Sequence, residues 1–145
     1  MALADLNPRS TLKFLLNADA TDDAGKLLTI NISDSAAQGV AVLELANSAT
    51  DVPVGIVVVG AASDSGSYPG YATSCEIYDT LIGCFDGALA GGTITCGALV
   101  VADATGRFVV AATPGAGDYV IGNAMTAAVA GEQFTIKFNA YKRIA

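Results

Sequence analysis

Two apolar runs flank a four-residue turn in the second half of the chain, and this pattern restricts the local fold strongly. Residues 99–101 lead into Asp103-Ala104-Thr105-Gly106, and residues 108–110 follow. An Asp that opens a turn accepts hydrogen bonds from backbone N–H groups two or three residues on, and a closing Gly takes positive φ without a Cβ clash. The pattern therefore predicts a β-hairpin.

The residues after this hairpin also read as strands and turns. Pro114-Gly115-Ala116-Gly117 is a break, after which residues 119–121 form a new apolar run. Near the end of the chain Phe134, Ile136 and Phe138 alternate with polar residues, which is the period of a half-buried strand. The fold class expected is all-β, as a compact β-barrel or β-sandwich.

A constant offset of 67 residues relates two parts of the chain. It superimposes Gly25 on Gly92, Gly39 on Gly106, Val42 on Val109, Asp51 on Asp118, Gly55 on Gly122 and Ala61 on Ala128. Glycines and turn acids are the residues that backbone geometry restricts most. We expect two related β-units, at about residues 25–61 and 92–128, within one β-domain of residues 25–145 that follows an arm of residues 1–24.

The first unit and the segment after it carry weaker patterns. Alternation over residues 28–33 and 41–45 predicts two strands joined by a turn at residues 34–39. Residues 52–59 are mostly β-branched and are expected to be buried on both faces, with Pro53 at a strand entrance. Residues 87–92 are expected to form a flexible link between the units.

The charge distribution limits the class of partner. The chain has 145 residues, a net charge of −7, 52% hydrophobic residues and only 14% charged residues. An acidic protein repels phosphate backbones, so direct nucleic-acid binding is not expected. A surface this poor in charge favours burial of part of it against a protein partner.

Reactive side chains are few. The chain has no His, which excludes Ser-His-Asp and Cys-His catalysis. Pairs among Asp22, Asp23, Asp79, Asp86 and Glu132 are the remaining candidates for acid–base chemistry, but turn and surface acids are common. The three cysteines have no zinc-site spacing and are interpreted as small buried residues. We expect no catalytic residue, metal or cofactor.

Export and membrane signals are weak in this sequence. The first ten residues lack a basic region followed by an apolar one, and the longest apolar run is shorter than the ~20 residues that span a bilayer. We therefore expect a soluble protein made in a reducing compartment, without a membrane partner.

Three segments are candidate contact regions. The first is an apolar arm, which could add to a partner's sheet edge or fold onto its own domain. The second is a polar loop with two tyrosines, and the third is a basic, aromatic tail. Their residues are, in the arm, Leu3, Leu6, Arg9, Leu12, Lys13 and Phe14; in the loop, Tyr68 and Tyr71; and in the tail, Tyr141, Lys142 and Arg143.

The last third of the chain resembles the small decoration proteins of tailed-bacteriophage capsids, also called cement or head-stabilising proteins. That family commonly shows a D-x-x-G turn, a Gly/Pro break, I-G-x-A and A-A-x-A-G-E before a final strand. Here the last two pieces are Ile121-Gly122-Asn123-Ala124 and Ala127-Ala128-Val129-Ala130-Gly131-Glu132. Asn123 stands where the family more usually has a small or apolar residue.

The resemblance implies a non-enzymatic protein of the virion, made in the host cytoplasm. Such a protein sits on the outer capsid surface, often as a homotrimer, and bridges neighbouring major capsid protein subunits. Two other functions stay open from the residues. One is a β-rich adhesion or fibre module that binds a cell-surface glycan or protein through the Tyr68 and Tyr71 loop. The other is a hydrolase that uses Asp79 or Glu132.

Overall fold

The chain folds into two β-sheets that face each other, as a computed structural model shows for residues 9–11, 15–63 and 68–144. The first sheet contains β1 (Arg9–Thr11), β2 (Leu15–Leu16), β3 (Leu27–Ile30), β4 (Val42–Leu45), β5 (Gly55–Val59) and β6 (Glu76–Tyr78). The second contains β7 (Cys84–Leu89), β8 (Leu99–Ala102), β9 (Phe108–Val110), β10 (Tyr119–Ala124) and β11 (Gln133–Lys142). The all-β prediction is confirmed.

The hairpin predicted around Asp103 is present. Strands β8 and β9 pair antiparallel, with Ala102 opposite Phe108. The Asp103 carboxylate accepts the backbone N–H groups of Thr105 (2.7 Å) and Arg107 (3.0 Å), and Gly106 has φ of +81°. Because the side chain of Asp103 replaces water at these donors, the turn is closed by its own residues.

The two sheets share a strand order. The first is β1-β6-β5-β3-β4-β2 and the second is β7-β11-β10-β8-β9, so β3 to β6 take the same places as β8 to β11. Asp51 and Asp118, which the 67-residue offset relates, both accept backbone N–H groups from residues three or four positions earlier. Descent of the two units from one duplicated unit stays a prediction.

A short helix interrupts the gapless alignment of the two units. Helix α1 (Ile32–Gln38) connects β3 to β4, where β8 and β9 are joined by a tight turn. The 67-residue shift therefore moves β3 onto residues 94–97, which lie before β8. The turn predicted at residues 34–39 is wrong: Asn31 ends the strand because its side chain caps a helix, and Gly39 ends the helix with φ of +69°.

The main core fills the space between the sheets. Leu27, Ile56 and Tyr78 of the first sheet pack against residues of the second, among which Phe108 and Phe134 meet edge to face with 5.9 Å between ring centroids. The predicted alternation in the last strand is confirmed, since Phe134, Ile136 and Phe138 are all buried.

The first sheet is a middle layer, with a second core on its other face. Leu28, Val57 and Ile77 point away from the second sheet and pack against Leu16, Ala20, Ala72 and Cys75. Burial of residues 52–59 on both faces therefore holds for Ile56 and Val57. It is wrong at the ends, because β5 starts only at Gly55 and Val52 and Val59 are exposed.

Backbone hydrogen bonds join the two sheets. Gly25 donates to the Val57 carbonyl (2.7 Å) and accepts from the Leu89 N–H (3.0 Å), with φ of +86°. Residues 87–89 are part of β7, where Ala88 and Leu89 pair with β11, and the flexible link predicted at residues 87–92 is wrong over this half. Position 25 requires glycine because a Cβ there would lie 2.5 Å from the Gly87 carbonyl oxygen in β7.

The cysteines differ in environment. Cys75 is buried in the second core, as predicted, whereas Cys84 and Cys96 are exposed. Cys84 opens a strand at the sheet edge and Cys96 lies in a turn, so neither position is covered by a second layer. Over the described ranges, no helix reaches the length and apolar character that a bilayer crossing requires.

Candidate interaction surfaces

Helix α1 is held to the first sheet by a network of polar side chains. The Asn31 side-chain oxygen accepts the Asp34 N–H (2.9 Å), and its amide donates to Glu44 (3.0 Å) and Asp34 (3.2 Å). Ser35 adds a contact to β4, because its hydroxyl accepts the Val42 N–H at 2.8 Å. These bonds fix the helix although its side chains contribute nothing to either core.

The outer side of this helix is apolar and uncovered. None of the residues of α1 is buried. Ile32 is 76% exposed, and Ala36, four residues on, shares its helix face. Ile30 and Val40, at the two ends of the connection, are also exposed. We call Ile30, Ile32, Ala36 and Val40, with the neighbouring acids Asp34 and Glu44, the α1 surface.

More negative charge lies next to the α1 surface. Asn17 also donates to Glu44 (3.4 Å), at the edge of a cleft of about 210 Å³ lined by Asp19, Asp23 and Leu45 among others. The backbone N–H of Thr21 donates to Asp19 at 2.9 Å, and this hydrogen bond lowers the pKa of the Asp19 carboxyl. Asp23 is paired with Lys26 at 2.7 Å.

The opposite charge occurs at the end of β11. The residues predicted as a tail do not form one, because β11 continues to Lys142 and pairs Tyr141 with Val120 and Lys142 with Tyr119. Arg143 continues the contact, with its N–H donating to the Asp118 carbonyl at 2.8 Å. The Lys142 ammonium lies 5.6 Å from the centroid of the Tyr119 ring.

These end residues are exposed on the surface. Tyr141, Lys142 and Arg143 are accessible, and Ile144 is 88% exposed. We call Tyr141, Lys142, Arg143 and Ile144 the C-terminal surface. Tertiary pairing supports this end of the chain, since β10 supplies the hydrogen-bonding partner that a tail would lack.

The other predicted contact regions are only partly described. Of the arm residues, Leu3, Leu6, Leu12, Lys13 and Phe14 lie outside the described residues. Arg9 lies in β1, where its backbone is opposite Tyr78, so residues 9–11 belong to the first sheet. Tyr68 and Tyr71 are half-buried and enclose a turn in which the Tyr71 N–H donates to the Tyr68 carbonyl. Partner binding by the arm and by the loop stays a prediction.

The acids considered for catalysis lie in ordinary polar contacts. Glu132 accepts the Val129 N–H at 3.1 Å, and Asp86 accepts the Thr135 hydroxyl at 2.7 Å. Within the described part of the chain, no group of three or more acids and cysteines is arranged to hold a metal ion.

An open cleft of about 370 Å³ lies where β7 meets the first sheet. Its walls include Val57, Tyr78, Phe85, Asp86 and Gln133. Burial raises the pKa of the Tyr78 phenol, whose hydroxyl donates to the Ile82 carbonyl at 2.8 Å. The cleft therefore has two aromatic side chains, Tyr78 and Phe85, and one carboxylate, Asp86, among its walls.

Comparison with solved structures identifies a chain of the same architecture. The N base of the head fiber gp8.5 of bacteriophage phi29 superimposes with a TM-score of 0.65 over 90% of this chain and 94% of that chain, at 15% sequence identity. The two chains share a fold. No protein-family model matches this sequence, and no curated protein matches it by sequence.

The α1 surface is the feature that sequence reasoning missed. A signal was present: an Asn precedes a short polar and alanine-rich segment that ends in Gly39, which is the pattern of a capped helix. The apolar alternation of Leu28, Ile30 and Ile32 concealed it, because the first two residues belong to a strand and the third to the helix.

Proposed function

We propose that this chain is a structural protein of a tailed-phage head that binds the outer surface of the assembled capsid. In this role it bridges neighbouring major capsid protein subunits, associates with itself as a homotrimer and needs no catalytic residue or cofactor. The protein is made in the host cytoplasm and then becomes part of the virion.

The observation that carries the proposal is the fold. A base of a phage head fiber has the same architecture over almost the whole of both chains. The decoration-protein pattern at Ile121–Ala124 and Ala127–Glu132 is a separate observation that supports a role at the phage head.

Physical chemistry explains how such a protein stabilises a shell. A ligand that binds only the assembled state shifts the equilibrium toward that state by mass action. When one protein touches two or three coat subunits, the second contact forms at the high effective concentration set by the first. Weak contacts through lightly charged surfaces are then sufficient for stable attachment.

Co-sedimentation tests the proposal. The purified protein is mixed with expanded, pre-assembled shells of the virus that encodes it, and unassembled coat protein serves as the control. We expect binding to shells and an increase in the temperature or denaturant concentration at which they dissociate. Absence of binding would contradict the proposal.

The arm is tested in the same assay. We expect deletion of residues 1–14 to abolish attachment while circular dichroism shows that the β-domain is retained. Normal binding by the shortened chain would show that the arm is not the attachment segment, and the Tyr68 and Tyr71 loop would then be tested by Tyr68→Ala and Tyr71→Ala.

A second function is a β-rich adhesion or fibre module that binds a cell-surface glycan or protein. The similarity to a head fiber base favours this alternative. A glycan-array signal without shell binding would support it over the capsid-stabilising function.

A further inference from the structure

The two hairpin connections at matching places in the sheets differ in what they contact. In the second sheet, the β8–β9 turn lies against the first sheet: the Gly106 carbonyl accepts the Leu27 N–H at 2.8 Å. In the first sheet the matching connection is α1, and none of its residues is buried. The polar contacts of Asn31 and Ser35 hold this seven-residue helix in place and leave Ile32 and Ala36 exposed. A group of exposed apolar residues marks a surface for a partner.

A complementary surface exists on the same chain. The α1 surface combines exposed Ile30, Ile32 and Val40 with the acids Asp34 and Glu44. The C-terminal surface combines exposed Tyr141 and Ile144 with the basic residues Lys142 and Arg143. Apolar residues flanked by charges of opposite sign are the composition that two surfaces need to pack against each other.

We infer that copies of this chain associate head to tail, with the α1 surface of one copy packed against the C-terminal surface of the next. This deepens the proposed function because it names the surfaces through which copies meet, but it does not require shell binding.

The two surfaces lie beyond opposite ends of strand β4, and this favours a contact between two copies over a contact within one copy. Helix α1 is attached at the Val42 end of β4, where the Asn31 N–H donates to the Val42 carbonyl. The C-terminal surface is connected to the segment beyond the other end of β4, because Ala49 accepts the Tyr119 N–H and Tyr119 pairs with Lys142. Because the α1 surface and the C-terminal surface lie beyond opposite ends of β4, each faces a different neighbouring copy.

A contact between two different surfaces has consequences for assembly. After a pair forms, one copy keeps an unused α1 surface and the other keeps an unused C-terminal surface, so copies add until the ring closes or a chain grows. The contact is therefore heterologous, and its two halves can be disabled in separate variants.

Sedimentation equilibrium of two single variants and their mixture tests the inference. Ile32→Asp disables the α1 surface, and Lys142→Glu disables the C-terminal surface. We expect the wild type to associate at micromolar concentrations and each variant to need about tenfold or more higher concentration, equivalent to about 1.4 kcal/mol or more of contact free energy. Val129→Asp is the matched control, because Val129 is 53% exposed and lies before the other end of β11.

The mixture gives the decisive result. An Ile32→Asp copy retains its C-terminal surface and a Lys142→Glu copy retains its α1 surface, so the mixture should form dimers at concentrations where each variant alone is monomeric. A mixture that keeps the mass of one chain would overturn the head-to-tail contact, as would a wild type that keeps this mass at all concentrations.

The shell assay distinguishes binding of the α1 surface to the coat protein from self-association. If Ile32→Asp loses shell binding while the wild type is monomeric in solution, the surface contacts the coat protein. The head-to-tail contact and the homotrimer are then overturned, although the shell-binding part of the proposed function stands. Circular dichroism and thermal unfolding of both variants confirm that the fold is retained.

Discussion

The Leu27 N–H donates to the Gly106 carbonyl at 2.8 Å, and this hydrogen bond joins the start of the first sheet to the turn of the second hairpin. Gly106 has φ of +81°. A Cβ placed on it would lie 3.2 Å from the Leu27 carbonyl oxygen and 3.3 Å from that of Ala46. The turn that most clearly predicts the hairpin is thus also a contact between sheets.

Substitution of Gly106 by Ala should destabilise the protein by more than the local backbone cost. We expect Gly106→Ala to lower the free energy of unfolding by about 2–3 kcal/mol, of which about 1–2 kcal/mol is the cost of a left-handed conformation. Gly97→Ala is the control, because Gly97 has φ of +86° with no atom within 4 Å of the added Cβ. Equal losses for the two variants in urea denaturation would show that the contact with the first sheet is unimportant.

The aromatic pair in the main core should dominate stability. Phe108 is fully buried and meets Phe134 edge to face. We expect Phe108→Ala to cost about 3–5 kcal/mol, because it removes buried area and leaves a cavity between the sheets. Ile82→Ala, at an exposed position, should change the free energy of unfolding by less than about 0.5 kcal/mol. A loss below about 1 kcal/mol for Phe108→Ala would contradict the two-sheet core.

Two of the three thiols should react quickly in the native protein. Cys84 and Cys96 are exposed, whereas Cys75 is buried, and burial raises the pKa of its thiol. A raised pKa leaves less thiolate at a given pH. The Cys75 thiol should therefore react more slowly than the other two, because burial limits reagent access and because less of the thiol is in the reactive thiolate form. Titration with a thiol-specific chromogenic reagent at pH 8 should give two fast equivalents, and the third should appear only in denaturant. The Cys75→Ser variant should still show two fast-reacting thiols. If it showed only one, Cys75 would be one of the fast thiols and the assignment would be wrong.

The helix cap should control the α1 surface. Asn31→Ala removes the acceptor for the Asp34 N–H and the donor to Glu44, so we expect a loss of about 1 kcal/mol and faster amide hydrogen exchange in α1. Ser33→Ala is the control, since Ser33 is exposed and its hydroxyl donates to the Asn31 side-chain oxygen at 3.1 Å without holding a backbone group of the helix. Unchanged exchange in Asn31→Ala would show that the Ser35 contact with β4 holds the helix without the cap.

Local sequence patterns correctly predicted the elements for which the hydrophobic period and the turn residues indicate the same structure. The β8–β9 hairpin and the alternation of β11 are confirmed because each depends on neighbours within a few residues. Helix α1 was missed because apolar alternation continues from β3 into its first turn, and the choice between strand and helix at Ile32 depends on the cap that Asn31 makes with Asp34 and Glu44.

The candidate surfaces were less predictable than the fold. The basic residues at the end of the chain were identified, but their place in β11 depends on pairing with β10, whose residues are about twenty positions earlier in the chain. Exposure of Cys84 and Cys96 likewise depends on which strand lies at a sheet edge. Sequence period indicates which residues share a face but not whether a second layer covers it.

The sequence by itself determined an all-β chain with a hairpin at Asp103 and few reactive groups, because turn chemistry, strand period and residue type are local properties. Tertiary structure decided that the first sheet is buried on both faces, that α1 remains uncovered and that Tyr141 and Lys142 lie in a strand. These outcomes depend on contacts between distant segments, whose free energy exists only after the two sheets have packed together.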